Sequence, residues 1–241
     1  MRWRVTASKK SAIASNMADD EPQVKVEYLD IPEGGDPEET NWIKRAGKAR
    51  VTYVNGCIFE GTFDEEKVKQ GKGTYIWMAP GGEEGEDPVE KARYEGDYKD
   101  GLRTGVGKFV YPNGDVYEGE FFENKMHGSG SYTYKASGDI YSGGWADGAK
   151  AGEGVYDFAK DSSTLSGTWE AGSLVKGSWT YKGAGQYDGE FKVGRPYGPG
   201  KFSFPSGLSQ TGSFTEKPKG EDDEEPEEGA VVAPNVEWKG D

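Results

Sequence analysis

Residues 94–114 read YEGDYKDGLRTGVGKFVYPNG. Aromatics and glycines alternate through this stretch at spacings of two: Tyr94, Gly96 and Tyr98, then Gly105 and Gly107 followed by Phe109 and Tyr111. Two is the period of a pleated strand, so both rings and Gly96 share one face while Glu95 and Asp97 point away. Lys99-Asp100-Gly101 and Asn113-Gly114 are turn signals, because Gly and Asn tolerate positive φ. The stretch therefore predicts a β-hairpin. Gly96 leaves a gap between its flanking rings. An aromatic from a neighbouring strand is expected to lie over that bare backbone, offsetting the weakness glycine brings to a strand.

The same unit recurs outward in both directions. Its aromatic-x-Gly-x-aromatic half appears at Phe59, Tyr94, Tyr117 and Tyr141, then at Leu165, Tyr187 and, worn, at Gln210. The starts are 35, 23, 24, 24, 22 and 23 residues apart, and the long first gap holds an acidic insertion near 79–92. The second half, Gly-x-Gly before alternating aromatics, recurs at Gly71/Gly73, Gly105/Gly107, Gly128/Gly130, Gly152/Gly154 and Gly198/Gly200. Residues 165–186 keep Gly177, Trp179 and Tyr181 but lose the clean glycine pair, and Val51-x-Tyr53 before Asn55-Gly56 reads as the tail of a partial unit. One hairpin of about 20 residues is marginal in water, so neighbours must stack edge to edge for burial. The fold class is all-β, an elongated single-layer array in which seven units would extend on the order of 65 Å. Such an array offers a surface rather than a pocket.

Composition agrees. Gly contributes 38 of 241 residues and Phe, Tyr and Trp another 31. Interior glycines at this density exclude a helical bundle, each costing a helix about 1 kcal/mol relative to Ala. Net charge is −14 but uneven: residues 1–16 hold four bases and no acid, 17–43 hold nine acids and one base, and 216–241 hold ten acids and three bases. The chain divides into a basic then acidic, mostly disordered leader (1–46), the repeat array (47–215) and an acidic tail (216–241). The leader suits either a transit peptide or an extension ahead of a start at Met17, and its shortness favours the extension. Acidic flanks repel nucleic acid and anionic headgroups, so no nucleic-acid partner is expected and membrane binding is disfavoured. With one cysteine, Cys57, and one histidine, His127, neither a Cys/His zinc site nor a Ser-His-Asp triad is expected. His127 is read as a solvated turn residue and Cys57 as a small apolar strand residue. The nearest approach to a P-loop, Gly71-Lys72, is followed by Gly73 and lacks the upstream glycine at Glu66. No enzyme activity, cofactor or metal is expected.

These residues resemble the MORN repeat, whose unit reads roughly Tyr-x-Gly-x-[Trp/Phe]-x-x-Gly-x-x-x-Gly-x-Gly-x-x-x-[Tyr/Phe]-x-x-Gly. The units starting at Tyr94 and Tyr141 fit it throughout. The array, the worn unit before Gly198-Pro199-Gly200-Lys201, and the acidic run closing on Val236-Glu237-Trp238-Lys239 are similar to the radial spoke head 1 family of ciliary and flagellar axonemes. The longer acidic leader departs from that family. The resemblance implies a non-catalytic scaffold subunit of the radial spoke head in the cytoplasm and cytoskeleton of a motile cilium or flagellum. Its partners would be other spoke-head subunits, with self-association a further option. The alternative is a membrane-tethering or phosphoinositide-binding MORN scaffold. Most rings are expected to be core; candidates for partner contact are Tyr117, Phe121, Tyr141, Trp145 and Tyr187.

Overall fold

A computed structural model describes residues 5–7, 24–30, 46–81, 87–217 and 235–241. They fall into two units divided between Lys125 and Met126, and no helix occurs among the described residues. The first unit holds β1 (Val5–Ala7), β2 (Val24–Tyr28), β3 (Gly47–Thr52), β4 (Ile58–Phe63), β5 (Lys69–Ala79), β6 (Val89–Lys99), β7 (Leu102–Val110) and β8 (Val116–Phe122). From β2 onward each strand pairs antiparallel with the next, and β1 lies parallel to β2. The second unit holds β9 (Lys125–Thr133), β10 (Ile140–Ala146), β11 (Ala149–Asp157), β12 (Thr164–Glu170), β13 (Ser173–Tyr181), β14 (Gly185–Lys192), β15 (Arg195–Ser203), β16 (Ser209–Glu216) and β17 (Val236–Gly240). These pair antiparallel in chain order from β9 to β17.

The glycines of successive strands stand opposite one another. In the first unit Gly61, Gly73, Gly96, Gly107 and Gly119 form an unbroken cross-strand row that Ala49 continues on β3. In the second unit the row runs Gly130, Gly143, Gly154, Gly167, Gly177, Gly189, Gly200, Gly212 and Gly240, one glycine on every strand. A ring lies on most of the row, while at Gly167 and Gly177 an added Cβ would first meet the facing backbone. A Cβ at Gly96 would sit 2.3 Å from the Tyr94 hydroxyl oxygen, and one at Gly107 would sit 2.6 Å from the same oxygen. Phe59 covers Gly61 and Gly73 in the same way, and Tyr187 covers Gly189 and Gly200. At Gly61, Gly96 and Gly189 this corrects the expected cover: the ring two residues earlier on the same strand folds across the gap, and it reaches on to cover Gly73, Gly107 and Gly200 of the neighbouring strand.

The two glycines of Gly105-x-Gly107 serve different ends. Past the Gly96–Gly107 pair the register jumps by two, so Gly105 and Val106 face no residue of β6, although both still pair with β8. Gly105 takes φ +58° there, a left-handed conformation that favours glycine. In the worn unit the register slips by only one residue, at Val175 between Leu174 and Lys176. The smaller bulge needs no left-handed residue, which is why the glycine pair is lost while Gly177 stays opposite Gly167. The hairpin is otherwise retained.

Hairpins close through two-residue turns with both residues left-handed, as at Asp100-Gly101 (φ 51° and 79°) and Asp147-Gly148 (φ 50° and 86°). Turn amides also bind hairpin to hairpin: the Gly101 N–H donates to the Lys69 carbonyl at 3.0 Å, and the Gly172 N–H to that of Lys150 at 3.0 Å.

Two boundaries move. Val24–Tyr28 lies within the expected disordered leader, yet it pairs with β3 and buries Val24 and Val26. The alternating Val-Lys-Val-Glu-Tyr carries an apolar strand face that overall acidity conceals. At the other end Val236–Gly240 pairs with β16, seating Trp238 opposite Phe214, so the close of the acidic tail completes the last hairpin. Val5–Ala7 of the leader also forms a strand, paired with β2, whereas residues 1–4, 8–23, 31–45 and 218–234, the start at Met17 among them, and residues 82–86 of the insertion lie outside the described residues. His127 stands in β9 just past the Glu123–Asn124 turn rather than within a turn. Cys57 is buried, as expected of a small apolar residue, but it stands just before β4 rather than in a strand.

Candidate protein-binding surface

The ring face is built from a repeated edge-to-face contact. Tyr94 meets Tyr98 of its own strand at 5.3 Å and 89°, and Phe121 of the next hairpin at 5.0 Å and 84°. Phe59 touches Phe63 and Tyr98 in the same fashion, and Tyr141 touches Trp145 and Trp169. Edge-to-face geometry sets the positive ring edge against the negative face, contributing about 0.5–1.5 kcal/mol per pair beyond burial. The first ring's hydroxyl then donates to the carbonyl three residues on: Tyr94 to Asp97 at 3.1 Å, Tyr117 to Glu120 at 2.9 Å and Tyr141 to Gly144 at 3.0 Å. The indoles of Trp145 and Trp169 donate to the Gly130 and Gly154 carbonyls. Tyr187 has the ring contacts, but its buried hydroxyl has no hydrogen-bond partner among the described residues.

All five candidate contact residues, Tyr117, Phe121, Tyr141, Trp145 and Tyr187, are 0–6% exposed. Each sits in this stack, covered by its neighbours, and a partner cannot reach it as the chain stands. Burial also pushes the phenol groups of Tyr94, Tyr141 and Tyr187 up to about 12.

A second set of residues, at the positions facing the second ring, decides where the ring face is covered. Lys69 stands opposite Phe63, Arg103 opposite Tyr98 and Lys150 opposite Trp145. The Lys150 ammonium lies 4.5–5.4 Å from the centroids of four rings, Tyr134, Tyr141, Tyr156 and Trp169. Lys69 is likewise held by Tyr53, Phe59, Tyr75 and Tyr98, at 4.4–5.9 Å. Arg103 reaches Tyr94, Phe109 and Phe121. These cations take cation–π attraction while burial pulls their pKa values down. Nothing in the strand period distinguishes them from surface lysines, so they are not read as site residues from sequence.

From β13 onward the cation is replaced by Leu174 opposite Trp169 and by Pro196 opposite Phe191. The outer rings loosen there. Tyr75/Trp77, Phe109/Tyr111, Tyr132/Tyr134 and Tyr156/Phe158 are 4.4–4.7 Å apart, whereas Trp179/Tyr181 are 6.0 Å and Phe202/Phe204 6.4 Å apart. Trp179, Tyr181 and Phe204 are 36–44% exposed, and Leu208 beside them more so. Exposed aromatics gathered in this way mark an interface. This open end of the ring face is the candidate surface.

The opposite face of the first unit is charged and self-neutralising. Glu27, Arg50, Glu60, Thr74, Glu95, Lys108 and Glu118 stand in one cross-strand row. Arg50–Glu60, Lys72–Asp97, Arg93–Glu90 and Lys108–Glu118 pair at 2.6–3.9 Å. An open groove of about 830 Å³ crosses this row between Lys48, Lys72 and Val106. No cluster of metal-ligating side chains occurs among the described residues.

The profile of the MORN repeat matches residues 59–78, 94–116, 117–138, 141–163 and 187–209. The chain thus carries MORN repeats, and the worn hairpin at 165–186 falls between two matches. MORN repeat-containing protein 3 of Xenopus laevis is 30% identical over 115 residues, 44% of each chain, so the match spans less than half the length of that relative. Among solved structures, the SAS-4 TCP domain of Drosophila melanogaster, in complex with a proline-rich motif of Ana2, covers 75% of this chain and 97% of its own. Identity there is 13% and the TM-score 0.23, too low to relate the two folds.

Proposed function

We propose that this MORN-repeat chain is a non-catalytic scaffold subunit of the axonemal radial spoke head, supporting ciliary or flagellar motility through protein contacts. MORN repeats indicate a repeat scaffold that binds other proteins. The finer assignment rests on the late-worn repeat pattern and the Val/Trp/Lys close. The observation that carries a protein partner over a lipid is where the cations sit. Lys69, Arg103 and Lys150 are enclosed by rings, and Arg50, Lys72, Arg93 and Lys108 are paired with carboxylates, so at these seven positions a headgroup phosphate would have to displace an existing partner. The open aromatics at Trp179, Tyr181 and Phe204 instead suit a protein surface.

Fractionation and salt extraction of isolated axonemes tests the reading. Co-extraction with spoke components is expected, and recovery only with membranes overturns it. Co-sedimentation with anionic vesicles at low salt provides the cross-check, where robust binding would favour the phosphoinositide alternative.

A further inference from the structure

The last strand presents an edge that is complementary to itself. The Asn235 carbonyl accepts from the Lys217 N–H, and the Asp241 N–H donates to the Thr211 carbonyl, so odd-numbered residues of β17 face β16. Backbone groups alternate along a strand, and Val236, Trp238 and Gly240 therefore direct their N–H and C=O groups away from the sheet. At the start of the first unit the outer edge of β2 is covered by β1. Among the described residues no strand covers β17. An open edge is a template for pairing.

We propose that β17 pairs antiparallel with β17 of a second copy of this chain about a two-fold axis at Trp238. In that register each Trp238 exchanges both backbone hydrogen bonds with its counterpart, and Val236 does so with Gly240 on either side. Side chains fit the same arrangement. Glu237 and Lys239 lie on the charged face and now bridge to each other at 3.0 Å along one strand. Across the axis, Glu237 of each copy meets Lys239 of the other, giving two opposite-charge pairs. On the ring face the half-buried Trp238, already 5.0 Å from Phe202 and 5.1 Å from Phe214, meets the same residue of the second copy. The interface is isologous, so it closes at two copies.

The test is the mass of the full chain by light scattering and sedimentation over a concentration series. A dimer is expected. Lys239→Glu and Glu237→Lys each place like charges opposite one another twice, and each is expected to weaken association by about tenfold or more. Mixing these two variants restores opposite charges and is expected to recover a mixed dimer. Val236→Pro removes an outward N–H while leaving the β16 ladder intact, and it too is expected to yield monomer, with circular dichroism confirming retained strand content. The proposal is overturned by a wild-type monomer throughout the series, by a dimer indifferent to all three variants, or by open-ended growth of mass, which indicates head-to-tail pairing.

Discussion

Gly107→Ala isolates the contact on which the array depends. The backbone of Gly107 has no left-handed strain, so alanine should by itself stabilise the strand by about 0.5–1 kcal/mol through lower unfolded-state entropy. The added methyl, however, would lie 2.6 Å from Cε2 and Oη of Tyr94 and 2.7 Å from its Cζ, where ordinary contact begins at 3.4 Å. The ring must shift by roughly 0.8 Å. It is pinned between Tyr98 and Phe121 and by its bond to the Asp97 carbonyl. Overpacking of this kind costs about 1–3 kcal/mol. Set against the entropic gain, the net loss is about 1.5 kcal/mol, or some 3–6 °C in midpoint for a chain of this size. Urea titration followed by circular dichroism reads it directly. The decisive comparison repeats the substitution in a Tyr94→Leu background, where the penalty should vanish or reverse. An unchanged or raised stability for Gly107→Ala, or an equal loss with and without the ring, would refute the account of the glycine row.

Other expectations concern single features of the same stack. Tyr117→Phe should cost about 1 kcal/mol, the net contribution of its bond to Glu120, whereas Tyr187→Phe removes an unpartnered buried hydroxyl and should be neutral or stabilising; thermal melts separate them. Val193 holds φ 49° in a hairpin turn before Gly194, so Val193→Asn should raise stability by about 1 kcal/mol in urea titration. Stability should also fall steeply in alkali. Tyr94, Tyr141 and Tyr187 titrate near 12 when folded against about 10 when unfolded. Their contribution is therefore intact below pH 10 and lost as pH rises towards 12. Phenolate absorbance should appear together with loss of strand signal, and ionisation well before unfolding would contradict the burial.

The hairpin period and most turns were legible because both are local: spacing of two and Asp-Gly pairs act within a few residues. What escaped has non-local causes. Val24–Tyr28 and Val236–Gly240 look like charged tail until an existing strand offers an edge, and each becomes a strand only by docking there. The contact residues were misplaced for a related reason. Tyr117, Phe121, Tyr141, Trp145 and Tyr187 stand out because they keep the period best, and rings that keep the period best are those the stack encloses. Exposure is set by residues outside the motif, at Lys69, Arg103, Lys150, Leu174 and Pro196, whose identity matters only once a second ring stands opposite them.

That division of labour has a consequence for specificity. The glycine row and edge-to-face rings use the same residues in nearly every hairpin, so they fix architecture without distinguishing one hairpin from the next. The position facing the second ring varies freely because either a long cation or a small apolar side chain leaves the backbone ladder undisturbed. A cation there reaches over the outer rings and withdraws them from solvent; leucine or proline leaves them open. Placing the cation at residue 196 by Pro196→Lys should therefore draw Tyr181 and Phe202 around the new ammonium. Quenching of Trp179 by acrylamide should fall by about half while strand content stays constant, because Pro196 sits opposite Phe191 in the place Lys150 takes opposite Trp145. Unchanged quenching with an intact fold would mean that the openness of this end has another cause, and that the cation position does not govern which hairpins meet a partner.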